Sequence, residues 1–228
     1  MKNCLSIITI AYEDDAELKL TYDSIKTFIE EGTKWILIIS QGLRDFKPPA
    51  GTVILERQDT GLYDALNIGL DEVCTEFFML LHSGDTIFNV KAFEKALKLM
   101  NSGYDCVLGG AVIGNRLHKS RKWRTWMLKL YVQPPHLPII YKSESSKEER
   151  YNTAITTVAD FYYLRELFSK LGFSYIHSNE VYVRMGTGGL TTSGFKSFLH
   201  VTFSFIRVDG IKPFLLSPIR LILKFLIK

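Results

Sequence analysis

Nine residues near the middle of the chain, Phe77-Phe78-Met79-Leu80-Leu81-His82-Ser83-Gly84-Asp85, narrow the choice of fold more than any other stretch. The run is unbroken and apolar, then turns polar. An apolar run bounded by turn residues is the pattern of a central strand covered on both faces. Asp85 falls just past the carboxyl end of that strand. Open α/β sheets present ligands at this edge, where the loops splay apart and leave a crevice. A carboxylate there can hold a divalent cation, because hard cations take oxygen ligands. It can equally cap the helix that follows.

The rest of the chain alternates in the way such a sheet requires. A β-branched strand spans Cys4 to Tyr12 and is followed by Glu13-Asp14-Asp15, which cap a helix running to about Glu31. Leu18, Tyr22, Ile25 and Ile29 share one helical face, and Gly32 closes the helix. Trp35 to Ser40 and Thr52 to Glu56 read as the next strands, and Leu62, Leu66, Gly69 and Val73 mark a second helix face. Phe93, Leu97 and Met100 mark a third helix, before a strand over Tyr104 to Ile113. This alternation predicts a mainly parallel, Rossmann-like sheet with right-handed crossovers. Beyond Gly114 the pattern changes. A basic cluster from Arg116 to Arg124 is interleaved with Trp123. Gln133 to Lys142 is broken by prolines and predicts a loop entering an edge strand. Lys142 to Arg150 reads as a mobile polar loop, Asp160 opens a helix, and Phe173–His177 and Val181–Met185 read as two short strands.

Composition removes several function classes. The net charge of +4 is too small to require nucleic acid, and none is expected as a partner. The three cysteines, Cys4, Cys74 and Cys106, lack metal or disulfide spacing and read as buried thiols of a cytoplasmic protein. No signal peptide is evident, and no apolar run reaches the length of about 20 residues that spans a bilayer. The absence of G-x-G-x-x-G after the first strand argues against a dinucleotide-binding protein. From Phe195 the chain is apolar, aromatic and basic. The piece after Pro218 can lie in a headgroup plane as an amphipathic helix, or pack on the domain or a second copy.

The segment upstream of the organising strand, Asp59-Thr60-Gly61-Leu62-Tyr63-Asp64-Ala65-Leu66-Asn67-Ile68-Gly69, sharpens this picture. With Ser83-Gly84-Asp85 it resembles family 2 glycosyltransferases of the GT-A fold, closest to bacterial enzymes of O-antigen, capsule and colanic-acid-type synthesis. Asp59 through Gly69 match that family's D-x-G-(I/L)-Y-D-A-(M/L)-N-x-G block at every fixed position. His82 stands where the family has Asn or Asp. The likeness spans about Ser6 to Ser193. It implies a GT-A domain over 1–194, with a nucleotide-binding half (1–113) and an acceptor-binding half (114–194), and a helical tail over 195–228. It further implies an inverting transferase that moves a sugar from a nucleotide-diphosphate sugar, most simply a UDP-sugar. The implied acceptor is a saccharide on polyprenyl diphosphate at the inner face of the bacterial membrane. A fold-retaining, non-catalytic partner subunit is the alternative, because the metal motif is thin.

Such a transfer needs a cation on the leaving diphosphate and a base at the acceptor hydroxyl. By resemblance Asp85 is the metal ligand, for Mg²⁺ or Mn²⁺, and Asp160 in Ala159-Asp160-Phe161 is the base, with helix capping as its structural alternative. His136 matches a family histidine that touches diphosphate or acceptor. Thr9, Ala11 and Tyr12 stand where the family holds base and ribose. Ser40-Gln41 replace a base-reading aspartate, and Gln41 can pair with a base edge. Asp59 is expected on the nucleotide, and Asp64 and Asn67 near the sugar or metal, although Asp64 can instead pair with Arg57. By the same resemblance Ser83 and Gly84 belong to the donor-binding set, and Gly188-Gly189-Leu190-Thr191 match a family segment near the acceptor end, where glycines allow a loop to close over bound donor.

Overall fold

The structure, a computed structural model, describes residues 4–12, 15–39, 45–56, 61–186 and 195–226. In chain order its elements are β1 (Leu5–Ala11), α1 (Asp15–Glu30), β2 (Lys34–Ile39), β3 (Val53–Glu56), α2 (Leu62–Asp71), β4 (Phe77–Leu80), β5 (Thr86–Ile87), α3 (Val90–Leu99), β6 (Cys106–Ile113), β7 (Arg116–His118), β8 (Ile139–Lys142), α4 (Ser143–Ser146), α5 (Ala159–Ser169), β9 (Tyr175–Met185), α6 (Phe195–Asp209), α7 (Lys212–Leu215) and α8 (Ser217–Leu226). Short 3-10 turns occupy Met100–Ser102 and Thr125–Leu130.

One sheet carries the molecule, in the order β3-β2-β1-β4-β8-β6-β9-β5, with β7 paired to β6. From β3 to β4 every pairing is parallel. All seven residues of β1 and all four of β4 are buried, so both faces of these strands are covered. That is why they read as unbroken apolar runs. Helix α2 lies directly on this part of the sheet. A Cβ at Gly69 would stand 2.5 Å from Ile8 Cγ2 and 3.0 Å from Ile38 Cδ1, so the last fixed glycine of the upstream block permits the approach of helix to strand. The buried face of α1 is Leu18, Thr21, Ile25 and Phe28, one step round from the predicted stripe. Thr21 is on it because it bonds the loop after β4, as shown below.

Four expectations are corrected here. The strand after the prolines is not at an edge: β8 lies inside the sheet, antiparallel to both β4 and β6. Pro134, Pro135 and Pro138 precede the strand, so no ladder bond is lost, and Ile139, Ile140 and Tyr141 are buried. The segment after Lys142 is tied down. It forms α4, accepts a bond from Tyr163 Oη at Ser146 O (3.0 Å), and Arg150 pairs with Asp71 (2.7 Å). The two strands predicted near residues 173–185 are one, β9, which pairs parallel to β6. The register shifts past Leu108, where polar Ser178-Asn179-Glu180 bulge out of the ladder. Among the cysteines Cys106 is buried and Cys4 half-buried, but Cys74 is exposed and accepts a bond from Lys34 Nζ at 3.2 Å.

The tail helices rest on the domain through Phe205, whose ring meets Tyr131 (4.9 Å) and Phe161 (4.8 Å). Among the described residues no helix is long and apolar enough to cross a membrane.

Candidate active site

Strands β1, β4 and β9 run in the same direction, and their carboxyl ends meet at one edge of the sheet. A cavity of about 300 Å³ opens there. Ile10 and Tyr12 come from the end of β1, His82, Ser83 and Asp85 from the loop after β4, and Met185 and Gly186 from the end of β9. Helix α1 adds Glu17, and α2 adds Leu62, Tyr63 and Leu66. His136 and Leu137 enter ahead of β8, and Tyr151, Thr156, Thr157 and Asp160 complete the wall.

The loop that presents Asp85 is fixed at each of its residues. Ser83 N donates to Ile10 O (3.1 Å), and Gly84 N to Thr21 Oγ1 (3.0 Å) and Glu17 O (3.2 Å). Thr21 Oγ1 in turn donates to His82 O (3.2 Å). Gly84 takes the left-handed region (φ +87°) to make the turn, which a side chain would strain. Asp85 Oδ2 accepts from His82 N (3.1 Å) and Oδ1 from Gly186 N (2.8 Å), so the aspartate ties the end of β4 to the end of β9. Only 5% of Asp85 is solvent-exposed. Burial pushes its carboxyl up to about 7 against the pull of those two N–H groups, and the charge of Glu17 adds to the rise.

The donor set suits a divalent cation. Each oxygen of Asp85 has accepted one N–H and retains a second lone pair. Ser83 Oγ is enclosed and without a partner among the described residues, and Glu17 brings a second negative charge to the same cavity. Among the described residues no group of three or more His, Cys, Asp or Glu could hold a metal by itself. The residues therefore fit a cation that draws most of its oxygens from a bound diphosphate and water, as Mg²⁺ and Mn²⁺ do in phosphate sites. His82 is an unsuitable cationic partner: burial and neighbouring His136 hold its pKa down to about 3, so the ring is neutral, with Nδ1 enclosed and unbonded.

Asp160 lies in the first turn of α5, and Val158 holds the N-cap position, so the carboxylate is not spent on capping. Gln133 Nε2 donates to Oδ2 (2.6 Å) and Tyr63 Oη to Oδ1 (3.3 Å). His136 Nδ1 stands 3.5 Å from Oδ2, too long for a firm hydrogen bond. Tyr63 stacks on Tyr151 (centroids 5.6 Å apart), and Tyr151 on Tyr163 (4.3 Å), so an aromatic wall runs beside the carboxylate.

Several residues expected on the ligand do other work. Thr9 is fully buried, and its Oγ1 accepts from Trp35 Nε1 (2.9 Å), which seats the indole. Ala11 is buried. Asn67 forms a two-way clamp on Tyr151, Nδ2 to its carbonyl (2.9 Å) and its N–H to Oδ1 (2.8 Å). It shapes the cavity wall through Tyr151 and does not enter the cavity, and Asp64 does not line it either. Tyr12 does, with 46% of its surface exposed. Ser40, Gln41, Arg57, Asp59 and Gly188–Thr191 lie outside the described residues.

Gln133, Tyr63 and Glu17 were not singled out from the sequence. Tyr63 was within reach, as a fixed position of the upstream block. Glu17 is an acid in the first turn of α1, at the same sheet edge. Gln133 carries no local signal beyond preceding the prolines.

Solved structures share this architecture. TarS of S. aureus in complex with UDP-GlcNAc aligns with TM-score 0.64 at 14% identity, over 97% of this chain and 72% of that one. The mannosyltransferase PcManGT of Pyrobaculum calidifontis, in complex with GDP-Man and Mn²⁺, gives 0.64 at 14%, over 96% and 69%. Glucosyl-3-phosphoglycerate synthase of Mycobacterium tuberculosis, with Mn²⁺, UDP and phosphoglyceric acid, gives 0.60 at 15%, over 90% and 78%. The chain spans 66% of one TarS structure and 40% of a longer one. No curated protein matches its sequence. At these identities the neighbours establish the fold. The model named "Glycosyl transferase family 2" matches residues 6–172, nearly three quarters of the sequence, and the chain belongs to that family.

Proposed function

We propose that this protein is an inverting glycosyltransferase that moves a sugar from a nucleotide-diphosphate sugar to a lipid-linked saccharide in bacterial surface-polysaccharide synthesis. The observation that carries the reading is that Asp85 and Asp160, from opposite halves of the chain, line one cavity at the carboxyl edge of the sheet. UDP is the preferred nucleotide. Tyr12 offers a ring for a base at the cavity rim, and two solved neighbours are named as UDP or UDP-GlcNAc complexes.

Asp85, with the charge of Glu17 beside it, would hold Mg²⁺ or Mn²⁺. When bound, such a cation offsets the negative charge that builds on the leaving diphosphate. Asp160 takes the proton of the acceptor hydroxyl as that oxygen bonds the anomeric carbon and the bond from carbon to diphosphate breaks. A single displacement of this kind inverts the anomeric configuration. Gln133 and Tyr63 hold both oxygens of Asp160 in place, and the stacked tyrosines keep water from that side of the sugar. The acceptor approaches past Thr156, Thr157 and Tyr151, the wall contributed by the second half of the chain.

Replacing Asp160 by Asn keeps the shape of the side chain and removes the base. Transfer should fall by about 10²–10⁴-fold, while donor affinity by calorimetry stays within about threefold. Retained transfer would refute the assignment of the base. Loss of donor hydrolysis and donor binding together in the unaltered protein would favour a non-catalytic partner subunit.

A further inference from the structure

Helix α6 anchors on the domain through Phe205, and α6 and α8 together leave a broad apolar face turned outward. Among the described side chains of α8, Arg220 is buried and Leu223 is half-buried against the core, while Ile219, Leu221 and Ile222 are exposed. Arg220 lies over the rings of Phe198 (4.4 Å) and Phe205 (5.4 Å) and donates to Thr202 Oγ1, itself buried. Its Nε and Nη1 have no partner among the described residues. On α6 Leu199, Phe203 and Val208 face outward, and on and beside α7 so do Ile211, Phe214 and Leu215. A helix pair that keeps an arginine inward while leaving Leu199, Phe203, Ile219, Leu221 and Ile222 outward is matched to an apolar medium on the outer side.

Charge identifies that medium. Residues 195–228 hold six of the chain's 28 Lys and Arg and one of its 24 Asp and Glu, so the remainder of the chain is almost neutral. The single acid, Asp209, is turned inward to Arg165 Nη1 (3.2 Å) and Tyr162 Oη (3.0 Å). Arg207 and Lys212 are exposed between the outward apolar side chains. The neighbouring segment, joined to α6 by the Tyr131–Phe205 contact, has no acidic residue from Cys106 to Ser143 and exposes Arg121, Arg124, Lys129 and Trp126. A self-pairing interface would set these cations against their own copies. We propose that α6, α7 and α8 form a docking face for an anionic lipid bilayer, with the apolar side chains seated at the boundary of headgroups and acyl chains and the cations among the lipid phosphates. The helices lie in the plane of the surface, because none is long enough to span it. The inference does not depend on the reading of the active site.

The test is sedimentation of the purified full chain with vesicles of phosphatidylcholine, with and without about one third phosphatidylglycerol, at about 0.1 M and 0.5 M salt. The protein should pellet with the anionic vesicles and bind about tenfold less to neutral ones or at high salt. A triple variant, Phe203→Ser, Phe214→Ser and Leu215→Ser, should remain in the supernatant with an unchanged melting temperature. A second variant, Arg207→Glu with Lys212→Glu, alters only exposed positions and should lose the preference for anionic lipid. Failure of the unaltered chain to pellet with anionic vesicles would overturn the proposal. So would a dimer in light scattering that the serine variant splits, because the face would then be an interface between copies.

Discussion

Asp85 links the ionisation of a single side chain to the stability of the fold. Its folded pKa of about 7 lies above the ordinary carboxylate value of about 3.9. The ligand-free protein should therefore be most favoured where the group is protonated in both states, and should lose that contribution as pH rises from about 4 to about 7. The loss is on the order of a few kcal/mol. Asp85→Asn should flatten this slope of melting temperature against pH. An equal slope in both proteins would show that the carboxyl is not held as described. Gln133 was hidden in the sequence because its importance comes from meeting Asp160 across 27 positions. Asp160 and Asp85 were legible because each stands in a short block of fixed residues. Gln133→Leu should lower kcat by about tenfold or more, with donor Kd unchanged. A fall in donor affinity with normal kcat would instead place Gln133 on the donor.

At the scale of elements, α2 shows why a matching block does not reveal how its residues are used. Gly69 and Asn67 both match, yet one lets the helix touch β1 and the other clamps Tyr151. Gly69→Ala should destabilise by about 1–3 kcal/mol through overpacking, read by urea denaturation, despite the better helix former. Asn67→Ala leaves two backbone groups of Tyr151 unpaired and should cost about 1–3 kcal/mol while loosening the cavity wall. An acceptor KM that rises with donor Kd unchanged would fit that role. Thr9→Val should orphan the Trp35 indole N–H at a similar cost of about 1–3 kcal/mol and leave donor affinity intact. A large loss of donor affinity would return Thr9 to the nucleotide. The strands that sequence misplaced, β8 and β9, are those whose position depends on distant partners. Local alternation shows that β8 is a strand but not that β4 and β6 flank it. The polar bulge at Ser178–Glu180 made one strand look like two.

For the whole molecule, legibility divides along the sheet. The parallel portion, β3-β2-β1-β4, follows from short apolar runs, β-branched in β1 to β3, set among stretches of helical spacing, because each crossover is local. The second half joins by antiparallel strands; its Asp160 and His136 were legible from their blocks, but their approach to Asp85 and the stacking of Tyr151 on Tyr63 arise only when the chain has folded. The tail was legible as apolar and basic, but not in which direction it faced, since periodicity does not say which medium lies outside. The cavity joins the two halves through Asp85, which accepts from Gly186 N at the end of β9 and would receive the cation on the donor. Calorimetric titration of UDP into the protein with saturating Mn²⁺, and into Asp85→Asn under the same conditions, tests that role most directly. UDP should bind the unaltered protein only when Mn²⁺ is present, and the variant should lose at least about tenfold in affinity. Equal affinity in the two proteins, or binding indifferent to Mn²⁺, would contradict it.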